Sequence, residues 1–207
     1  IRSVTTKNLI VLRKLADKHG ILLIFDEIQC GIGRTGKLFC HEHAGVTPDI
    51  MPIAKGIGGG FPLGACLAKN SVAKHMTLGT HGSTYGGNPL AMAMGNAVLD
   101  VLEEEKILYN VKIMSEKLKV ELISLSKKYP EIIDEIRGLG LMIGLKLHRD
   151  PREFIAQAFE NKLLVVGASE NTIRILPPLN ITLADINEAS KKLNKTCLDE
   201  LKKFKTI

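Results

Sequence analysis

Three short, unbroken apolar runs constrain this sequence more than any other feature. Ile21-Leu22-Leu23-Ile24-Phe25, residues 50–54 and residues 63–68 are too short for ordinary helices. They also lack the alternation of a strand with one wet face. Such runs suit strands covered on both sides, as in a mostly parallel sheet with helices on its two faces. The helices to cover them are legible too. Residues 5–19 place Leu9, Leu12, Leu15 and Ala16 on one face and stop at Gly20. Asn88-Pro89 opens a helix running to about residue 105, with asparagine as cap and proline in the first turn. A further helix over 107–129 stops before Pro130. After it the texture changes. Residues 132–137 and 141–147 read as strands, 152–162 as a helix, and 163–166 and 172–176 as strands. Thr182-x-x-Asp185 opens a last amphipathic helix. The chain therefore divides near residue 106, α/β before it and a smaller α+β unit after it.

Composition narrows the function classes. The net charge of +6 raises the question of nucleic acid, but the excess is spread along the chain. Residues 1–100 carry ten basic against six acidic side chains, and residues 101–207 carry eighteen against sixteen. The one dense cluster, Lys191, Lys192, Lys195, Lys202, Lys203 and Lys205, has helical spacing and is interrupted by Asp199 and Glu200. It reads as the solvated face of the last helix, and with 4% aromatics there is little to stack on bases. No apolar run is long enough to span a membrane. Cys30, Cys40, Cys66 and Cys197 form no Cys-x-x-Cys pair, which fits a reducing, cytoplasmic setting.

Four local patterns bear on chemistry. Gly31-Ile32-Gly33-Arg34-Thr35-Gly36 matches the dinucleotide fingerprint literally, but residues 26–30 separate it from the apolar run and no long helix can follow it. The same stretch to Lys37 approaches a P-loop, with Leu38 where a magnesium-binding hydroxyl belongs. A nucleotide-binding protein of that type is the alternative from another class. Cys40-His41-Glu42-His43 offers metal-ligand types without a second pair at matching spacing, and no metal is expected. The fourth pattern is the sharpest. Asp26 and Lys55 each end an apolar run, at the strand edge where open α/β sheets bind ligands. A partly desolvated lysine can condense with an aldehyde cofactor, and a carboxylate opposite can keep a pyridine nitrogen protonated. Ser83 and Thr84, in a glycine-flanked loop, supply hydroxyl and N–H groups suited to a phosphate.

At these residues the sequence resembles the class III aminotransferases, fold-type I pyridoxal-phosphate enzymes. The resemblance rests on the stretch from Leu22 to Gln29, on Gly33-Arg34-Thr35-Gly36, Pro48-Asp49-Ile50, the stretch from Ala54 to Gly64, and the stretch from Thr80 to Pro89. It continues through the stretches from Arg137 to Gly144 and from Ile173 to Leu179. It implies that residues 1–105 are the carboxyl-terminal part of a cofactor-binding large domain and 106–207 a small α+β domain. It also implies pyridoxal 5′-phosphate as cofactor, with Lys55 bonded to it and carrying a proton between substrate and cofactor carbons. Asp26 would pair with the pyridinium nitrogen, Ile28 pack on the ring and Gln29 approach the ring hydroxyl. Glu27 belongs to the same cofactor-binding stretch without a definite role. Thr84 would bind the phosphate across a homodimer interface, with Ser83 beside it near the substrate. Arg174 would clamp a substrate carboxylate.

Within the family the motifs are most similar to those of members that move the terminal amino group of N-acetylornithine to 2-oxoglutarate in arginine biosynthesis. Users of ornithine, succinylornithine and 4-aminobutyrate share most of them. The resemblance further implies that the sequence corresponds to about the carboxyl-terminal half of a family member. The isolated 207 residues are therefore expected to lack transaminase activity and to expose apolar sheet surface.

Overall fold

The computed structural model describes residues 1–205, with only the backbone for 204 and 205. The chain falls into two compact units. Residues 4–108 form one, and residues 109 onward together with residues 1–3 form the other.

In the first unit, helix α1 (Thr6–His19) begins where the Thr5 hydroxyl accepts the Asn8 N–H and ends at Gly20 in the left-handed conformation. Strands β1 (Ile50–Ala54) and β2 (Gly64–Ala68) pair antiparallel, Ile50 opposite Ala68 and Ala54 opposite Gly64. A short helix α2 (Asn70–Ala73) follows β2. Helix α3 (Pro89–Glu104) opens as its sequence implies, with the Asn88 side chain accepting the Ala91 N–H.

The run 21–25 differs from expectation in an instructive way. It lies parallel to β1, with the Leu23 carbonyl accepting the Ile50 N–H and the Ile50 carbonyl accepting the Phe25 N–H. Glu27 then donates to the Pro52 carbonyl. The next bond of that ladder needs an N–H from residue 52, and proline has none. The pairing is therefore one bridge, Ile24 to Ile50, rather than a strand. Nor are the runs covered on both faces. Ile21, Leu22 and Ile24 are 61%, 53% and 56% exposed, and every residue of β2 is exposed. The reason is where the helices go: α1 packs chiefly against the turn at Cys40–Ala44, and α3 against the turn at Lys55–Gly58. The parallel element expected of this unit is that single bridge, and its two-stranded ladder is antiparallel.

The second unit carries the better-filled core. Helix α4 (Ile107–Lys128) leads into it, followed by β3 (Ile133–Leu139), β4 (Met142–Leu147), α5 (Pro151–Glu160), β5 (Val166–Ala168), β6 (Thr172–Ile175) and α6 (Leu183–Lys205). The four strands form an antiparallel sheet in the order β3-β4-β6-β5. Val111, Leu118 and Leu122 of α4, Leu145 of β4, Ile173 of β6, and Ile186 and Leu193 of α6 are all essentially closed to solvent. β5 begins later than the sequence suggests because residues 161–163 finish α5. Lys162 takes a left-handed backbone, its N–H bonds Phe159, and the Leu163 N–H reaches back to Ala158. The start of α6 is the expected reciprocal cap, Thr182 and Asp185 bonding each other's backbone N–H. On α6, Lys192 and Lys203 pair with Glu188 and Glu200, while the side chain of Lys205 lies outside the described residues.

Candidate functional site

Asp26 and Lys55 lie at the same end of two parallel segments. The bond from Glu27 to Pro52 sets residue 26 alongside β1, and Lys55 is the first residue beyond that strand. Lys55 is exposed and has a positive φ of 51°, uncommon for a residue with a Cβ and a form of strain that collects at functional sites. Asp26 is also exposed. One of its carboxylate oxygens accepts the Ile28 N–H at 3.0 Å, which turns the chain so that Ile28 follows half-buried. Gln29 is exposed beyond it. All four lie in the first unit, Lys55 directly after β1 and Asp26, Ile28 and Gln29 on or just beyond the segment paired with it.

Ser83 and Thr84 are in the exposed loop before α3. The Ser83 hydroxyl accepts the Gly86 N–H at 2.9 Å and so shapes the loop, while a Cβ added at Gly82 would meet nothing within 4 Å. Arg174 belongs to the other unit. It is half-buried on β6, opposite Gly144 of β4 and Val166 of β5. The donor set fits a phosphorylated pyridine aldehyde: an exposed amine, an exposed carboxylate for a ring nitrogen, and a hydroxyl-bearing loop open enough for an anion.

Glu27 has a different place from the one its sequence neighbours suggest. Its carboxylate is 2% exposed and already engaged. It accepts the N–H groups of Cys40 at 2.6 Å and His41 at 2.8 Å, and faces the His41 ring nitrogen Nδ1 at 3.0 Å. The Glu27 carboxylate is thus taken up within the protein, on the turn at Cys40–Ala44. Asp49 is a residue whose role the sequence reading missed, although its motif was quoted. It accepts from Arg13 of α1 at 2.7 Å, from Lys69 at 2.8 Å and from the Leu23 N–H at 2.8 Å. These donors, the Leu23 N–H foremost, hold its carboxyl well below the usual carboxylate range. Asp49 thereby fixes where segment 23–27 enters beside β1, and so where Asp26 arrives. The available signal was an acidic residue set between Pro48 and the apolar run 50–54.

The glycine-rich stretch at 31–36 does not form a phosphate cradle at a helix start. It folds as successive turns, Gly36 donating to Gly33 and Gly33 to Leu38, and then meets the five-residue 3-10 turn Cys40–Ala44. Within that turn Glu42 caps the Phe39 N–H and His43 faces Thr35. Among the described residues no helix is long and apolar enough to cross a membrane.

The family model for class-III aminotransferases matches residues 3–197. Acetylornithine aminotransferase 2 of Caulobacter vibrioides is 50% identical over 197 residues, 95% of this chain and 49% of that protein. The acetylornithine aminotransferase of Mesorhizobium japonicum is 53% identical over 193 residues, 93% of this chain and 48% of that one. The chain thus spans about half the length of the curated relatives it matches. Among solved structures, the acetylornithine aminotransferase of Elizabethkingia anophelis superposes with a TM-score of 0.87 at 36% identity, covering 92% of this chain and 49% of that one. The ornithine aminotransferase of Toxoplasma gondii, described with PLP at partial occupancy in its active site, gives 0.90 at 32% identity over 95% of this chain and 48% of that one.

Proposed function

This chain belongs to the class-III aminotransferases, and on that premise we propose that the protein moves the terminal amino group of N-acetylornithine to 2-oxoglutarate, using pyridoxal 5′-phosphate. The observation that carries the reading is the placement of Lys55 and Asp26 at one end of adjacent parallel segments, with Lys55 on a strained backbone. When bound, the cofactor supplies an aldehyde that takes up an amino group and a cationic ring that accepts the electron pair left on carbon.

The side chains of this chain do the rest. With the cofactor bound, the Lys55 amine would hold its aldehyde group and would carry a proton at the substrate carbon. Asp26 holds a proton on the ring nitrogen, Ile28 supplies an apolar face and Gln29 a polar contact to the ring hydroxyl. Thr84 binds the phosphate from across a homodimer interface, with Ser83 near the substrate. The Arg174 guanidinium orients the donor's carboxylate through two parallel hydrogen bonds. Residues 1–105 act as part of the cofactor-binding large domain and 106–207 as the small domain, in a cytoplasmic enzyme.

A donor panel on the full-length protein tests the reading, comparing N-acetylornithine, ornithine, succinylornithine and 4-aminobutyrate with 2-oxoglutarate as acceptor. The highest kcat/KM is expected for N-acetylornithine. A preference for free ornithine would move the assignment toward the ornithine aminotransferases, which this chain also superposes on closely. Borohydride treatment should add a pyridoxyl mass at Lys55, and Lys55→Ala should abolish turnover and labelling together. Nucleotide hydrolysis lost in Lys37→Ala, without labelling of Lys55, would overturn the proposal.

A further inference from the structure

We infer that Glu27 is a positioning residue: its buried carboxylate fixes the backbone on which Asp26 and Ile28 meet the cofactor ring. The inference rests on the pyridoxal-phosphate reading above and deepens it.

Glu27 shares a peptide bond with each of those two residues, and its own backbone is held at both ends. Its N–H donates to the Pro52 carbonyl of β1 at 3.1 Å, and its carbonyl accepts the Gly31 N–H at 2.9 Å. Pro52 stands three residues before Lys55, so this bond ties the Asp26 segment to the strand that delivers the lysine. The side chain adds a third anchor. Oε2 accepts the Cys40 N–H and Oε1 the His41 N–H, which pins the turn at Cys40–Ala44 behind the segment. The His41 ring and the Cys30 thiol, the latter at 3.8 Å, close the remaining space around the carboxylate. A Cβ at Gly31 would come within 2.8 Å of the Glu27 carbonyl oxygen and 3.2 Å of Oε2. The packing leaves no slack.

The carboxylate is matched to this place by its hydrogen-bonding sense. It only accepts, and each of its two oxygens faces a backbone N–H. A carboxamide of the same shape must set its NH2 group against one of those donors. That leaves a buried N–H unpaired, and the cheapest relief is movement of the turn together with the 26–28 backbone. Glu27 touches no cofactor in this arrangement. It acts through Asp26.

Such action has a signature that general stabilisation lacks. In the full-length protein, pyridoxal-phosphate dissociation constants are measured for the wild type, Glu27→Gln, Asp26→Asn and the double variant, with melting of the cofactor-free forms alongside. Glu27→Gln is expected to weaken binding by about tenfold or more. In the Asp26→Asn background the same change should cost little further, because both substitutions remove one interaction. Equal losses in both backgrounds would overturn the inference. So would a lower melting temperature with unchanged cofactor affinity. Should Glu27→Gln fail to fold, His41→Ala removes one neighbour while keeping both backbone bonds. It carries the same cycle with a smaller loss expected and the same non-additivity required. A wild type that takes up no pyridoxal phosphate would overturn the underlying reading and this inference with it. Additive losses in a wild type that does bind it would overturn this inference alone.

Discussion

Asp49 brings a carboxylate into a nearly closed position because three donors converge on it from α1, from the end of β2 and from the backbone of Leu23. Removing the charge leaves Arg13 and Lys69 facing a neutral group, so Asp49→Asn should cost about 3 kcal/mol at neutral pH in urea unfolding. The pH dependence follows from the direction of its shift. Its folded pKa lies below the unfolded one, so the contribution is complete above the ordinary carboxyl value near ~4 and declines as pH falls below it. Wild type and variant should therefore differ most at pH 7 and converge in acid. A constant gap down to pH about 3 would mean that the ion pairs carry no stability. The cysteines give a second expectation at this scale. Burial pushes the Cys197 thiol up to about 12, whereas the hydrogen bond from Cys30 lowers Cys40 and raises Cys30. Mass-resolved alkylation at neutral pH should label Cys40 before Cys30 and leave Cys197 until last.

At the scale of elements, the β3–β4 hairpin depends on Gly138. Its φ is +117°, and a Cβ there would lie 2.0 Å from the Met142 carbonyl oxygen. Gly138→Ala must break the pairing of Gly138 with Ile143, at a cost of about 3 kcal/mol or more. Gly20→Ala, left-handed but with nothing within 4 Å, should cost only about 1 kcal/mol. Comparable losses from the two would remove the steric argument. Sequence disclosed these elements wherever local chemistry decides them. Asn88 and Thr182 cap the helices their positions suggest, and Gly20 ends α1. The run 21–25 was harder, since its apolar pattern says nothing of Pro52 on the neighbouring segment, where a missing N–H reduces the pairing to one bridge. The same limit holds at the site. Asp26 and Lys55 are legible from their positions after apolar runs, because strand ends carry the ligand edge. Glu27 and Asp49 are not, since an acidic residue's burial depends on donors 13 to 36 positions away, such as Cys40 and Arg13, that only folding assembles.

Across the whole molecule the two units differ in how completely they bury what they carry. The large apolar side chains closed most fully, among them Leu118, Leu141, Leu145, Ile173 and Leu193, belong to the unit beginning at residue 109. The other unit leaves Ile21, Leu22, Ile24, Leu67, Met76 and Leu90 exposed. Burial of apolar area is the main source of stability, so the 207 residues produced alone should be unevenly ordered. Hydrogen exchange read by mass spectrometry should show slow amides in β4, β6 and α6, and fast exchange at 21–27 and in β2. A hydrophobic dye should bind the isolated chain, because contiguous exposed apolar surface is rare on a finished monomer. In a protein of the relatives' length, further chain is available to cover those strands. The same amides should then be protected and the dye excluded. Turnover is expected only of that covered state, since the segment 21–27 that carries Asp26 is left open. Uniformly slow exchange in the isolated chain, together with transaminase turnover on added pyridoxal phosphate, would show that 207 residues suffice.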